Sequence, residues 1–291
     1  MKLSQPHLSI IIPTFNRAGH LNETLKRLHE QSLSKEFYDI WVVNDGSTDS
    51  TRKLLEIWTQ KSPLVHALHQ KNSGQGTARN HALKAIKKAE RKQGSGKNRI
   101  ELILFIGDDI YGTKDFLKEH VEFHQKHPEE NTACLGLTEW DSSEPVTEFM
   151  KWLVTGGPQF AYHRLHAEQE LSFWYFYTSN VSLKKSLLKN AHFDEDFKTY
   201  GWEDVELAYR LQTKHHLKLI YQPKALAFHN HFMKEEDLAK KNVEHRKNGT
   251  PLSKKTPHCK SASSRGKTYF LKINFFQNQS RIFTFISAYF G

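Results

Sequence analysis

Two adjacent carboxylates, Asp108 and Asp109, follow the apolar run Ile100-Glu101-Leu102-Ile103-Leu104-Phe105-Ile106, with only Gly107 between. Carboxylate oxygens are hard ligands, and two of them at one point suit Mg²⁺ or Mn²⁺ carrying a diphosphate. A second pair, Glu203-Asp204, stands beside Trp202 at the start of a helical pattern. Carboxylates there are favoured by the helix dipole and can cap the helix. Next to an indole they also suit a base beside a sugar-binding platform. His229 and His231 alternate after a short apolar run, which offers an imidazole to a metal. Asp45 ends another apolar run and could accept from the N–H of a base or from ribose hydroxyls. The loop Gly74-Gln75-Gly76 opens a helix with backbone N–H groups, and Arg79 adds a guanidinium for phosphate.

The elements that must position these groups are legible from periodicity. Buried strands are expected at residues 8–13, 39–45, 65–69 and 100–106, each a short apolar run. Helical spacing separates them: Leu21, Leu25 and Leu28, with Asn22 as a candidate cap; then Leu54, Leu55, Ile57 and Trp58; then Ala82, Leu83, Ala85 and Ile86. Strands alternating with helices predict an α/β domain with a doubly wound, mostly parallel sheet. Ligands bind such sheets outside the carboxyl ends of the strands, where Asp45, Asp108 and Asp109 fall. In the second half a helix over 114–127, a strand near 133–138, an aromatic-rich region over 149–177 and a strand at 178–183 follow. Val205, Leu207, Ala208 and Leu211 then give a helical face, and two short strands flank Pro223. Trp140, positions near Gly156-Gly157, and Asn180 are candidates to line an acceptor cleft.

The chain has 291 residues, enough for one large or two small domains, and its 42 Lys and Arg against 32 Asp and Glu give a formal charge of +10. Such a balance favours anionic partners without choosing among nucleotides, lipid surfaces and nucleic acid. Two cysteines, Cys134 and Cys259, provide neither a disulfide framework nor metal-ligand spacing. No signal peptide and no apolar span of bilayer length is evident, so a cytoplasmic location is the expectation. From Met233 the composition becomes charged, then polar and basic, and ends in an aromatic segment over 269–290. That end suits peripheral contact with a membrane interface, or packing on the domain itself or on another subunit.

Four ordered blocks, Ile10-Ile11-Ile12-Pro13-Thr14-Phe15-Asn16-Arg17, Val42-Val43-Asn44-Asp45-Gly46-Ser47-Thr48-Asp49, the segment 74–80, and the strand ending in Asp108-Asp109, resemble family 2 glycosyltransferases with the GT-A fold. The resemblance covers roughly residues 8–232. It implies that Pro13, Thr14, Phe15, Arg17, Asp45, Gly74 and Arg79 hold a nucleotide-sugar, with uridine as the expected base. In the family's D-x-D position this chain has Gly107 first, which leaves Asp109 as the implied metal ligand and Asp108 nearer the ribose or donor sugar. The block Gly201-Trp202-Glu203-Asp204 resembles the family's E-D motif. It implies Asp204 as general base, Glu203 as the residue that positions the acceptor, and Trp202 as a platform for its ring. A late histidine completing the metal site is a family habit, with His229 preferred and His231 next.

The implied activity is inverting transfer from a nucleoside-diphosphate sugar to a hydroxyl of a glycan or lipid-linked acceptor, with Mn²⁺ or Mg²⁺, in cell-envelope or capsule polysaccharide synthesis. The expected division is a GT-A domain over 1–232, with donor half 1–112 and acceptor half 113–232, followed by a basic aromatic extension over 233–291. A sugar-1-phosphate nucleotidyltransferase would carry a glycine-rich basic loop where Pro13 to Arg17 stand. A nucleic-acid-binding protein would rest on charge alone and leave the strand-end carboxylates unexplained.

Overall fold

The structure, a computed structural model, describes residues 6–93, 100–155, 160–198 and 201–237. The expectations for Gly156-Gly157, Cys259 and the chain beyond residue 237 lie outside the described residues. Strands β1 (His7–Thr14), β2 (Tyr38–Asp45), β3 (Val65–Gln70) and β4 (Ile100–Ile106) alternate with helices α1 (Ala18–His29), α2 (Thr51–Lys61) and α3 (Gln75–Gln93). All four strands run parallel, in the order β3-β2-β1-β4. The second half adds β5 (Ile110–Gly112), α4 (Phe116–Lys126), β6 (Thr132–Trp140), α5 (Glu148–Thr155), β7 (Glu170–Leu171), β8 (Asn180–Lys184), α6 (Glu203–His215) and β9 (Lys218–His229). Among the described residues these form one nine-stranded sheet, continuing β4-β8-β6-β9-β5 with β7 on β9. Strand β8 is antiparallel to both of its neighbours, and the long β6–β9 ladder is parallel again.

The unbroken apolar run of β4 follows from burial on both faces. Side chains alternate across a strand. Ile103 and Phe105 therefore join Ile11, Val43, Ala82, Leu207 and Leu211 on one side. Leu104 and Ile106 join Ile10, Val42, Leu21, Leu55 and Val121 on the other. Burying both faces holds β4 at the centre of the sheet and carries the peptide of Gly107 and Asp108 to its carboxyl edge. Asn22 lies inside α1, not at its start; its side chain accepts from Trp58 Nε1 at 3.0 Å and ties α1 to α2. The two strands expected around Pro223 are one strand. The register against β6 passes from Gly136↔Gln222 to Thr138↔Ala227, so residues 223–226 bulge opposite Leu137. Proline, which has no donor for the ladder, is tolerated at such a bulge.

Asn180, expected in acceptor binding, serves that bulge. Its side chain is fully buried; Nδ2 donates to Leu137 O and Ala225 O, both at 3.0 Å, and Oδ1 lies 2.9 Å from His120 Nε2. Two carbonyls released from the ladder would otherwise be buried without a donor. Gly136 leaves the room, since a Cβ there would stand 2.4 Å from both Ala225 O and Asn180 Nδ2. Beyond it, Ser182 Oγ lies 2.9 Å from His120 Nδ1 and from His124 Nε2.

Replacing Asn180 with alanine removes three buried bonds and should destabilise the fold by about 3 kcal/mol. Denaturant midpoints test this, and an unchanged midpoint refutes the structural role. Burial depresses His120 to about 4 from 6.5. The unfolded chain then binds the proton first as pH falls, so stability declines between those two values as this imidazole is forced to charge. Melting temperatures that stay flat over that window would contradict it.

Candidate active site

Asp108 and Asp109 are both buried at the carboxyl end of β4. Thr14, the last residue of β1, donates from Oγ1 to Asp108 Oδ2 at 2.7 Å, and Thr24 Oγ1 donates to the Asp108 carbonyl at 2.8 Å. Arg17 donates from Nη2 to Asp109 Oδ2 at 2.7 Å, with its Nε 3.4 Å from Asp108 Oδ1. His229 Nε2 lies 3.1 Å from the same Asp109 oxygen and His231 Nδ1 lies 3.7 Å from it. A Cβ at Gly107 would sit 2.8 Å from Asp109 Oδ1, so a larger residue there would displace that carboxylate. Burial and the charge of Asp109 push Asp108 up to about 7, against Arg17 and Thr14. For Asp109 burial works against ionisation, and His229, Arg17 and His231 outweigh it, so its carboxyl lies well below the usual range.

Asp109, His229 and His231 each present one ligand atom, all within 4.8 Å of one another. One carboxylate oxygen and two imidazole nitrogens fit a divalent transition ion, and they suit Mn²⁺ better than Mg²⁺. The guanidinium of Arg17 can only donate, so in their 3.2 Å contact His231 Nδ1 is the acceptor, unprotonated as a metal ligand must be, with its lone pair turned to Arg17. The alternating spacing in His229-Asn230-His231 is the sequence signal for both histidines. Trp140 stacks on His229 at 5.1 Å and 13°, with its Nε1 donating to Met150 O at 2.8 Å. Trp140, expected to line an acceptor cleft, backs the imidazole.

The second carboxylate pair is held across the molecule from α3. Arg79 Nη1 donates to Glu203 Oε1 at 3.1 Å and Nη2 donates to Gln75 Oε1 at 3.1 Å, with the Arg79 and Glu203 side chains only 3% and 7% exposed. Arg79, expected as a phosphate donor, is thus turned to Glu203 here. Glu203, expected to position the acceptor, is itself buried against Arg79 and acts on its neighbour by charge. Asp204 is pushed up to about 7 by burial and by Glu203, against Arg79 and the backbone bonds of Val205 and Thr178. Residues 79 and 203 are 124 apart, and nothing in their local sequences announces the pair. Trp202 precedes the helix with φ +76°, next to Gly201 at +99°, and packs edge-on to Trp174 at 6.3 Å. A bulky residue in the left-handed region is strained, and such strain clusters at functional sites. Phe160, with φ +40°, is the second such aromatic. It packs on His229 at 5.6 Å and on Tyr177 at 5.4 Å, and Tyr177 in turn senses the charge of Asp204.

Asp45 is buried at the end of β2 and accepts from Gln70 Nε2 at 2.8 Å, Ser73 N at 2.8 Å and Gly74 N at 2.9 Å. It shapes the loop that enters α3, where Gly74 takes φ +92° and a Cβ would stand 2.9 Å from Lys198 O. Pro13 is buried in the β1–β2 ladder opposite Val43, whereas Phe15 beyond it is 44% exposed. Asn16, which the sequence reading passed over, accepts at Oδ1 from Thr48 N at 2.7 Å and joins the loops after β1 and β2.

The sequence model for glycosyl transferase family 2 matches residues 9–189. The chain belongs to glycosyltransferase family 2. Validoxylamine A glucosyltransferase of Streptomyces hygroscopicus subsp. jinggangensis is 28% identical over 227 residues, covering 71% of this chain and 51% of that protein. The poly(ribitol-phosphate) β-N-acetylglucosaminyltransferase TarS of Staphylococcus aureus is 34% identical over 120 residues, 41% of this chain and 19% of TarS. This chain thus spans about half of the first of these relatives and about a fifth of the second. Among solved structures, S. aureus TarS 1-349 with UDP-GlcNAc superposes with TM-score 0.56 at 20% identity, over 79% of this chain and 60% of that one. Mannosyltransferase PcManGT of Pyrobaculum calidifontis, with GDP-Man and Mn²⁺, gives 0.59 at 18% identity, over 90% and 66%. The fold is therefore GT-A. In this family 2 chain the matched segment ends before Glu203, Asp204, His229 and His231, which enter the site by geometry.

Arg79→Met leaves Glu203 buried without its counter-charge and should cost about 3–5 kcal/mol. The double variant Arg79→Met/Glu203→Gln should recover part of that loss in denaturant melts. Equal midpoints for wild type and Arg79→Met would remove the pair as a structural tie.

Proposed function

We propose that this chain is an inverting glycosyltransferase that moves a sugar from a nucleoside-diphosphate sugar, UDP-linked first, to a hydroxyl of a glycan or lipid-linked acceptor. The observation that carries this reading is a carboxylate near pKa 7, Asp204, held apart from a second carboxylate centre that has a metal-ligand geometry. In one displacement the acceptor oxygen attacks the anomeric carbon as the bond to the diphosphate breaks, which inverts that centre. Asp204 takes the hydroxyl proton, and a base near pKa 7 is well matched to that task. Glu203 keeps that pKa up, and Arg79 holds Glu203 in place. Trp202 offers the acceptor ring an aromatic face beside the base. A divalent cation held by Asp109, His229 and His231 would offset the charge of the leaving diphosphate.

Support for a uridine donor comes from the UDP and UDP-GlcNAc complexes of TarS, whereas PcManGT carries GDP-Man. Support for envelope polysaccharide as the pathway comes from TarS and from a putative teichuronic acid glycosyltransferase of Bacillus subtilis, TuaG. Among the described residues no helix is long and apolar enough to cross a membrane. The division into a domain over 1–232 and an extension over 233–291, working in the cytoplasm, with the extension as the point of peripheral membrane contact, completes the proposal.

Incubation with a panel of UDP-, GDP-, CDP- and TDP-sugars, with and without Mn²⁺, should release one nucleoside diphosphate in an acceptor-dependent manner; release from none would refute the reading. Asp204→Asn should lower turnover by about a hundredfold to ten-thousandfold while leaving donor affinity intact. Because the base works deprotonated, kcat/KM should rise with pH and level off above about 7. A profile flat from pH 5 to 8 would exclude Asp204 as the base.

A further inference from the structure

We infer that Arg17 is a built-in counter-ion for the metal site, seated on two of its ligand atoms and expelled when the cation enters. This rests on the reading of Asp109, His229 and His231 as a metal centre. Arg17 Nη2 lies 2.7 Å from Asp109 Oδ2 and 3.2 Å from His231 Nδ1, so one N–H-bearing atom engages both acceptors. Both atoms belong to residues of the three-residue ligand group, and each is an acceptor of the kind a divalent cation takes. Its Nε, 3.4 Å from Asp108 Oδ1, spreads the charge over the second carboxylate. Two adjacent buried carboxylates repel each other, and a buried charge left without a partner is strongly destabilising. The guanidinium offsets this before a metal arrives.

A divalent cation and Arg17 cannot share the Asp109 oxygen and the His231 lone pair, and like charges at that range repel. Arg17 is 26% exposed at its side chain and sits at the first residue before α1, so it has an outward path. Metal entry therefore frees a cation at the mouth of the site, beside exposed Phe15, where a diphosphate would meet it. Metal and donor anion then bind with positive coupling: the ion expels the guanidinium, and the guanidinium finds the anion.

The test compares wild type, Arg17→Met and Arg17→Lys by calorimetric Mn²⁺ titration without nucleotide, and by melting in EDTA and in saturating Mn²⁺. Arg17→Met should bind Mn²⁺ about tenfold more tightly, the size of an ordinary coupling between sites. It should melt lower than wild type in EDTA and close that gap in Mn²⁺. Arg17→Lys, with a point charge on a shorter reach, should fall between, and it carries the test if Arg17→Met does not fold. Equal Mn²⁺ affinity in all three proteins, or a melting gap that persists in Mn²⁺, overturns the proposal. UDP affinity measured in Mn²⁺ should weaken in Arg17→Met, and unchanged affinity would remove the second half of the device. Sugar transfer by wild type is scored separately. Its absence alongside intact metal competition would refute the glycosyltransferase reading and not the role of Arg17.

Discussion

The constraint on which the rest of this structure depends is the negative charge buried at the end of β4. Asp108 and Asp109 are adjacent in sequence and both withdrawn from water. Such a pair persists only where cations and donors are brought to it. Thr14 and Arg17 arrive from β1 and the turn before α1, Thr24 from within α1, and His229 and His231 from the end of β9. Strand order makes this convergence possible. β1 is hydrogen-bonded to β4, and β9 reaches the same edge because its long parallel ladder with β6 ends at Trp140↔His229. The asymmetry of the outcome, with Asp108 drawn up and Asp109 held down, follows from which carboxylate the imidazoles face.

A second constraint operates at α6. Asp204 stands in the first turn of that helix beside Glu203. Its pKa is set by burial and Glu203 on one side and by Arg79 on the other. Arg79 in turn stands on the helix whose entry loop is shaped by Asp45. The loop that enters α3 and the start of α6 are thus joined by a buried ion pair, so a disturbance of either reaches the other through few intermediaries. The strained backbone at Trp202 and Phe160 borders the same region. The surrounding core holds that strain, as rigid scaffolds do at functional sites.

Much of the fold was legible because its physical cause is local. Apolar runs buried on both faces, helical spacing and the carboxylates closing strands reveal a parallel α/β half and its ligand-binding edge. The pairing of β8 antiparallel to β4 and β6 was not legible, since antiparallel partners need no local signature beyond being strands. The bulge in β9 was read as a gap between two strands, because Pro223 marks an interruption without saying whether the chain resumes in the same ladder. Asn180 looked like a ligand contact for the same reason. A polar residue at the start of a strand gives no sign that two displaced carbonyls await it.

By itself the sequence determined which chemistry was available: paired carboxylates at a strand end, a second pair at a helix start, alternating histidines, and a family's ordered motifs to relate them. Residue type and local periodicity are sufficient for that, because ionisation, ligand hardness and strand or helix propensity belong to short segments. Only the tertiary structure decided the division of labour. It turned Arg79 to Glu203, set Trp140 behind His229, and brought both histidines and Arg17 to Asp109. Those assignments depend on distances of a few ångströms between residues 89 to 214 positions apart, and Coulomb forces and hydrogen bonds act across space without regard to separation along the chain.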